Sequence, residues 1–227
     1  MHIGIIGGIG PASTEMYYRE LVKQYQVVNI SLELTIVHAD IHELTKNLLA
    51  DDKKKQVNIF LNYINRLVKC GATHVVIPSL AGHFCLTELE IRSPLPIMSA
   101  LDVLKYYVQE NAISKVGVLG TLPTMQTGIF GCFDKNCFIV PDPDEQLIVA
   151  DTYRKFARNG YASAEDKATI FSIGQKLTND NNVEIVFLAG TDFFLAFDGE
   201  DCGFKAIDCA QLHIASIVAL AKKNQFA

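Results

Sequence analysis

Segments rich in β-branched and apolar residues alternate along the chain with segments of helical periodicity. The strand-like runs are 3–7, 33–39, 73–78, 96–98, 115–120, 137–141, 184–188 and 204–208. Between them, apolar residues recur every three or four positions, as in 57–68 and 101–108. This alternation predicts parallel βα units with right-handed crossovers and helices on both faces of each sheet.

The two halves of the chain also repeat one pattern. Ile3-Gly-Ile-Ile-Gly-Gly corresponds to Val116-Gly-Val-Leu-Gly-Thr, and Thr73-His-Val-Val-Ile-Pro-Ser corresponds to Glu184-Ile-Val-Phe-Leu-Ala-Gly. The predicted fold class is therefore α/β, with two pseudo-symmetric parallel-sheet lobes of doubly wound βα units and a ligand cleft between them. The expected lobes are 1–98 with 208–227, and 99–207. We expect them to pack as one continuous unit, because no low-complexity linker separates them.

Composition and charge exclude several classes of partner. The chain has 227 residues, of which 49% are hydrophobic and 20% charged, as is usual for globular proteins. A net charge of -5 provides no basic surface for nucleic acid or an anionic membrane. The apolar run 214–221 is too short to span a bilayer, and no basic leader precedes the first strand. We expect a cytoplasmic protein that binds neither nucleic acid nor membrane.

The six cysteines are scattered, with no CxxC pair and no spacing typical of a metal site. We expect free thiols and no bound metal. The cysteines are Cys70, Cys85, Cys132, Cys137, Cys202 and Cys209.

Two strand-to-helix turns are candidate anion-binding sites. Gly7-Gly-Ile-Gly-Pro-Ala-Ser13 presents backbone N–H groups at a helix start, which favours a carboxylate near Ile9 and Gly10, with a purely structural turn as the alternative. A dinucleotide is disfavoured because the acidic residue that should follow the glycines is missing at the usual distance. In the second half, Thr121 and Thr124 begin a helix, and Thr121 is expected to cap it, to hold a carboxylate, or both.

The remaining polar candidates have mainly structural interpretations. Asp192 is favoured as a helix cap over a catalytic group, and His83 as a packed or capping residue over a base. His213, on the last helix, is expected to be structural. Lys46 is the nearest candidate for a second cation if the ligand is a dicarboxylate.

Four segments together resemble the aspartate/glutamate racemase family, essentially from end to end. They are Gly4-Ile-Ile-Gly-Gly-Ile-Gly-Pro11, Lys115-Val-Gly-Val-Leu-Gly-Thr-Leu-Pro-Thr-Met125, Val140-Pro-Asp-Pro-Asp-Glu-Gln146 and Asp208-Cys-Ala-Gln-Leu-His213. The resemblance implies cofactor-independent racemisation in a homodimer. One cysteine thiolate removes the α-proton of the amino acid, and a second cysteine returns a proton to the opposite face.

Both cysteine positions are substituted when the family motifs are carried over. Ser79 stands at the first position, followed by Leu80 and Ala81 in place of asparagine and threonine. Gly190 stands at the second position, followed by Thr191 and Asp192 in place of threonine and an acid. Losing one positioned acid or base typically costs about 10²–10⁴-fold in rate, so two-cysteine proton transfer is expected to be impaired or lost. Cys85, Cys209 or Asp192 acting through a water are the substitutes considered.

Three functions follow from this comparison. The first is a divergent racemase-like protein that acts on or binds a small amino acid or dicarboxylate. The second is a non-catalytic carboxylate- or amino-acid-binding pseudoenzyme, and the third is a decarboxylase or hydrolase that uses Ser79. The expected catalytic positions are Ser79, Gly190 and Asp192. The expected substrate-binding residues are Ile9, Gly10, Leu80, Ala81, His83, Thr121, Thr124 and Thr191.

Overall fold

The computed structural model describes residues 1–225, and of Gln225 only the backbone. The fold divides into two compact units, Met1–Ala100 with the chain from His213 onward, and Leu101–Leu212. The sequence predicts lobe boundaries at residues 98 and 208. Residues 226 and 227, which the prediction assigns to the first lobe, lie outside the described residues.

The described residues form two four-stranded parallel sheets, and each of the eight expected strands is present. The strands are β1 (His2–Gly7), β2 (Glu33–His38), β3 (His74–Val76), β4 (Ile97–Met98), β5 (Val116–Gly120), β6 (Phe138–Ile139), β7 (Ile185–Ala189) and β8 (Ala206–Asp208). The strand orders are β2-β1-β3-β4 and β6-β5-β7-β8. Each strand of the second sheet thus takes the place of the strand four earlier, as expected for a duplicated lobe. The predicted α/β fold class is confirmed.

Helices connect the strands in both units. They are α1 (Pro11–Val27), α2 (Ile41–Leu49), α3 (Lys53–Lys69), α4 (Leu86–Arg92), α5 (Ala100–Glu110), α6 (Leu122–Gln126), α7 (Gly128–Gly131), α8 (Pro143–Asn159), α9 (Ala164–Asn181), α10 (Phe194–Phe197) and α11 (Cys209–Gln225). Two short 3-10 helices, Leu80–Cys85 and Thr191–Phe193, follow β3 and β7. Within the described chain, no helix is both long enough and apolar enough to cross a membrane.

The central strands β1, β5 and β7 are buried along their whole length, as parallel strands are when helices cover both faces of a sheet. A glycine in β1 and another in β5 each admit a leucine from a covering helix. A Cβ at Gly4 would lie 2.8 Å from Leu67 Cδ1 of α3, and a Cβ at Gly117 would lie 2.9 Å from Leu177 Cδ2 of α9. The repeated glycines of the sequence therefore mark the same close helix–sheet contact in both units.

Candidate functional site

The first strand-end loop, residues 79–83, follows β3 and begins with Ser79, the predicted position of the first cysteine. Ser79 has extended backbone angles, φ -162° and ψ 123°, and the 3-10 helix begins at the next residue. Ser79, Leu80 and Ala81 are half-buried. Their side chains offer one hydroxyl and two apolar groups.

The ring of His83 holds this loop against the start of α5. Its Nε2 accepts a hydrogen bond from the Ala100 N–H at 3.2 Å, so the proton is on Nδ1, which donates to the Ser79 carbonyl oxygen at 2.8 Å. The side chain is 2% exposed. Since both nitrogens bind backbone atoms, His83 is not placed to activate the Ser79 hydroxyl.

The glycine-rich turn before α1 is tied to the same loop. Gly8 and Gly10 have φ values of 84° and 147°, which favour glycine, and a Cβ on Gly8 would collide with the Ala39 carbonyl. The buried Ser13 hydroxyl donates to the Pro78 carbonyl, which links α1 to the residue before Ser79. Ile9 is buried, with Cδ1 3.2 Å from the point where a Gly82 Cβ would lie. The structure therefore brings Ile9 and Gly10 together with the first strand-end loop.

The second unit ties α6 to its own strand end by a related bond. Thr121 occupies the N-cap position of α6, but its hydroxyl lies 3.2 Å from the Thr124 hydroxyl and does not cap a backbone N–H. The buried Thr124 hydroxyl is 2.8 Å from the Thr121 carbonyl and 3.5 Å from the Ala189 carbonyl at the end of β7. Thr124 thus corresponds to Ser13, because each lies three residues after the N-cap position of its helix and bonds to the carbonyl just before the strand-end loop.

The second strand-end loop, residues 190–193, follows β7 and begins with Gly190, the predicted position of the second cysteine. Gly190 has φ -160° and ψ 127°, and a 3-10 helix follows it directly. These angles differ from those of Ser79 by 2° in φ and 4° in ψ. Ser79 and Gly190 therefore occupy equivalent backbone positions in the two units.

The ring of Tyr153, on α8, fills the space beside Gly190. A Cβ at Gly190 would lie 2.6 Å from Tyr153 Cε2 and 2.8 Å from Cζ, well inside van der Waals contact. The ring packs against Phe156 and Phe193, with centroid distances of 5.4 and 4.9 Å. Sequence reasoning missed Tyr153, because its spacing with Val149 and Phe156 marks only the buried face of a helix.

The Tyr153 hydroxyl donates to Asp192 Oδ2 at 2.8 Å. Asp192 therefore does not take the expected capping role, and neither the 3-10 helix nor α10 has a side-chain cap bond at its start. Within residues 1–225, Asp192 Oδ1 is buried and has no hydrogen-bond partner. Burial raises the pKa of the Asp192 carboxyl, and the hydrogen bond from Tyr153 partly opposes this rise.

Comparison with known proteins identifies the family of this duplicated fold. The family model for Asp/Glu/hydantoin racemases matches residues 6–217. The chain belongs to the Asp/Glu/hydantoin racemase family.

Individual relatives are distant in sequence and close in fold. The broad specificity amino-acid racemase RacX of Bacillus subtilis is 24% identical over 132 residues, which are 56% of this chain and 58% of that curated relative's length. A candidate Asp/Glu racemase from Yersinia pestis has a TM-score of 0.86 at 22% identity, over 97% of this chain and 99% of that one. An aspartate racemase homologue from Pyrococcus horikoshii has a TM-score of 0.84 at 22% identity, with the same coverage.

The other thiols considered for this racemase-family protein lie in environments that disfavour the thiolate. Cys85 is fully buried, and burial, followed by the charge of Glu88, raises its pKa to about 12. Burial also raises the pKa of Cys209 far above its usual range, with a smaller contribution from Asp208. A thiol must ionise to act as a base, so neither position provides a ready substitute.

Asp208 and Lys46 also have defined positions. Asp208 accepts hydrogen bonds from the N–H groups of Ala210 and Gln211, at 2.8 and 3.2 Å, and so caps α11. Lys46 is exposed on α2.

His213 is buried between the Tyr17 hydroxyl, 3.0 Å from Nδ1, and the Met98 carbonyl, 2.9 Å from Nε2. Burial, with the nearby His83, lowers its pKa to about 3, so the ring is neutral at ordinary pH. Within the described chain, no cluster of three or more His, Cys, Asp or Glu side chains has the arrangement of a metal site.

Proposed function

We propose that this protein binds a small amino acid or dicarboxylate at its strand-end loops, and that it has lost two-cysteine racemisation. Membership of the racemase family supports the class of ligand. The family resemblance further implies a homodimer that needs no cofactor, and the sequence favours a cytoplasmic location. Ser79, Gly190 and Asp192 are the proposed positions of the lost chemistry. The proposed ligand-contacting residues are Ile9, Gly10, Leu80, Ala81, His83, Thr121, Thr124 and Thr191.

The observation that carries the proposal is the Tyr153 ring beside Gly190. A glycine that simply replaced a cysteine would leave space for the missing side chain. Here the space is filled, because Tyr153 Cε2 lies 2.6 Å from the Cβ position. The second unit has therefore been repacked around the absence of a side chain at this position.

The first unit supports the same conclusion by chemistry. A serine hydroxyl is a weak base unless a neighbouring group activates it, and both His83 nitrogens bind backbone atoms. Cys85 and Cys209 are buried with raised pKa values. No strong base is therefore offered at either equivalent position.

The test combines proton exchange with ligand binding on the full chain. The L and D forms of aspartate and glutamate are incubated with the protein in D₂O, and the α-proton signal is followed by NMR. We expect no exchange above the protein-free rate, together with an increase in Tm when a dicarboxylate or amino acid is added.

Two outcomes would contradict the proposal in different ways. Exchange above the protein-free rate would show that a base survives, and the loss of racemisation would then be wrong. If no amino acid or dicarboxylate changes Tm or binds by calorimetry, the proposed class of ligand is wrong.

A further inference from the structure

We propose that the Tyr153 hydroxyl positions Asp192 so that Asp192 Oδ1 accepts a hydrogen bond from an N–H group of the bound ligand. Tyr153 is a positioning residue in this scheme, and Asp192 is the group that contacts the ligand. The inference rests on the proposed function, and it assigns to the second strand-end loop a role that replaces the cysteine chemistry.

The two oxygens of Asp192 are in different situations. Oδ2 accepts the Tyr153 hydroxyl at 2.8 Å, and the same phenol oxygen lies 3.5 Å from the Asp192 backbone N–H. Oδ1 is buried and has no partner among the described residues. A buried carboxylate oxygen without a donor is costly, so its retention points to a donor that arrives with the ligand.

The packing of the Tyr153 ring fixes the orientation of the Asp192 carboxylate. The Tyr153 ring is 9% exposed and lies between Phe156 and Phe193. Its edge passes over Gly190, where any side chain would block it. Glycine at this position is therefore what allows the hydroxyl to reach Asp192.

The first strand-end loop offers no comparable group. Leu80 and Ala81 occupy the positions equivalent to Thr191 and Asp192, and both are apolar. Of these four side chains, only Asp192 carries a charge, and an ammonium group is the strongest donor that a carboxylate can meet. An α-amino acid should therefore bind more tightly than the dicarboxylate of the same length that lacks the amino group.

The experiment compares L-aspartate with succinate by isothermal titration calorimetry. We expect the wild-type protein to prefer aspartate. Asp192→Asn should weaken aspartate binding about 10- to 100-fold, because it removes a charge-assisted hydrogen bond, and should leave succinate binding unchanged. A second variant, Tyr153→Phe, removes the hydroxyl that positions Asp192. Its matched control is Tyr161→Phe, which removes the hydroxyl of an exposed tyrosine just after the end of α8.

A pH profile separates positioning from a purely structural role. Burial raises the pKa of the Asp192 carboxyl. Among the described residues, Tyr153 is the one side chain that opposes this rise, because its hydrogen bond stabilises the ionised carboxylate. Tyr153→Phe should therefore raise the Asp192 pKa, and aspartate binding should be lost at a higher pH on acidification than in the wild type. A role limited to packing would lower Tm without moving this profile.

The outcomes separate the inference from the proposed function. If succinate binds as tightly as aspartate, or if Asp192→Asn weakens both ligands equally while Tm is unchanged, the inference fails and the proposed function stands. An unmoved pH profile in Tyr153→Phe overturns the positioning role. If neither ligand binds, the proposed function fails, and the inference fails with it.

Discussion

Placing a side chain at Gly190 should destabilise the protein, although its backbone angles allow any residue. At φ -160°, alanine or cysteine adopts the native conformation without strain. The cost comes from Tyr153, whose Cε2 and Cζ lie 2.6 and 2.8 Å from the new Cβ. The ring cannot withdraw freely, because its hydroxyl is bound to Asp192 and its faces contact Phe156 and Phe193.

Two opposing contributions set the magnitude. Overpacking a buried site costs about 1–3 kcal/mol. Replacing glycine by alanine at a compatible backbone position recovers about 0.4–1 kcal/mol, because it reduces the freedom of the unfolded chain. We expect Gly190→Ala to lower the free energy of unfolding by roughly 1–2 kcal/mol, and Tm by about 2–8 °C for a chain of this size.

The duplicated fold supplies a matched control. Ser79 has nearly the same backbone angles and already carries a Cβ, so Ser79→Cys should change stability by less than about 0.5 kcal/mol. In a Tyr153→Leu background, Gly190→Ala should cost less than in the wild type, and thermal and denaturant unfolding of the four proteins measure this coupling. If Gly190→Ala is as stable as the wild type, or if its cost is unchanged in the Tyr153→Leu background, the ring does not block the position and the argument is wrong.

Two further predictions concern titration and thiol reactivity. Burial raises the pKa of the Asp208 carboxyl from 3.8 to about 6, so the folded state binds this proton more tightly than the unfolded chain does. The contribution of the protonated carboxyl to the free energy of unfolding is therefore present at low pH and is lost as the pH rises through about 6. Asp208→Asn, which retains the helix cap, should therefore be more stable than the wild type at pH 7.5, by about 3 kcal/mol. Denaturant unfolding should show no such gain at pH 4, and an equal gain at both pH values would exclude titration as the cause. In the native protein, a thiol-specific disulfide reagent should modify the exposed Cys70 and leave Cys85 and Cys209 unmodified until denaturant is added, and rapid modification of either buried thiol would contradict the environments described.

The sequence predicted the architecture well because the relevant signals are local. Each buried strand is a short apolar run, and the echo of Ile3-Gly-Ile-Ile-Gly-Gly in Val116-Gly-Val-Leu-Gly-Thr predicted two similar parallel-sheet lobes. The structure adds that the two sheets have the same strand order. The glycines in these motifs have a packing reason that recurs in both units. A repeated local constraint is the kind of information that a single sequence carries.

The contents of the candidate site were only partly predictable. Motif positions placed Ser79 and Gly190 at equivalent strand ends, and the close agreement of their backbone angles is consistent with that placement. The role of Tyr153 depends on which residue of α8 crosses the end of β7, a tertiary contact 37 residues distant in sequence. For the same reason Asp192 was expected to cap a helix, since the phenol that binds it could not be located from sequence.

Under the proposal that Ser79 and Gly190 stand at the two cysteine positions, the two units differ in how the reactive group was lost. Ser79 retains a Cβ and a hydroxyl in a loop still held by His83, so the first position differs from a cysteine mainly in chemistry. Gly190 differs in packing as well, because the Tyr153 ring occupies the space where a side chain at this position would lie, and its hydroxyl donates to Asp192. Restoring two thiols by Ser79→Cys and Gly190→Cys alone would therefore place the second one against an aromatic ring. Retracting that ring would in turn release the carboxylate that we propose contacts the ligand, so regaining the family's two-thiol site would require giving up the arrangement that replaced it.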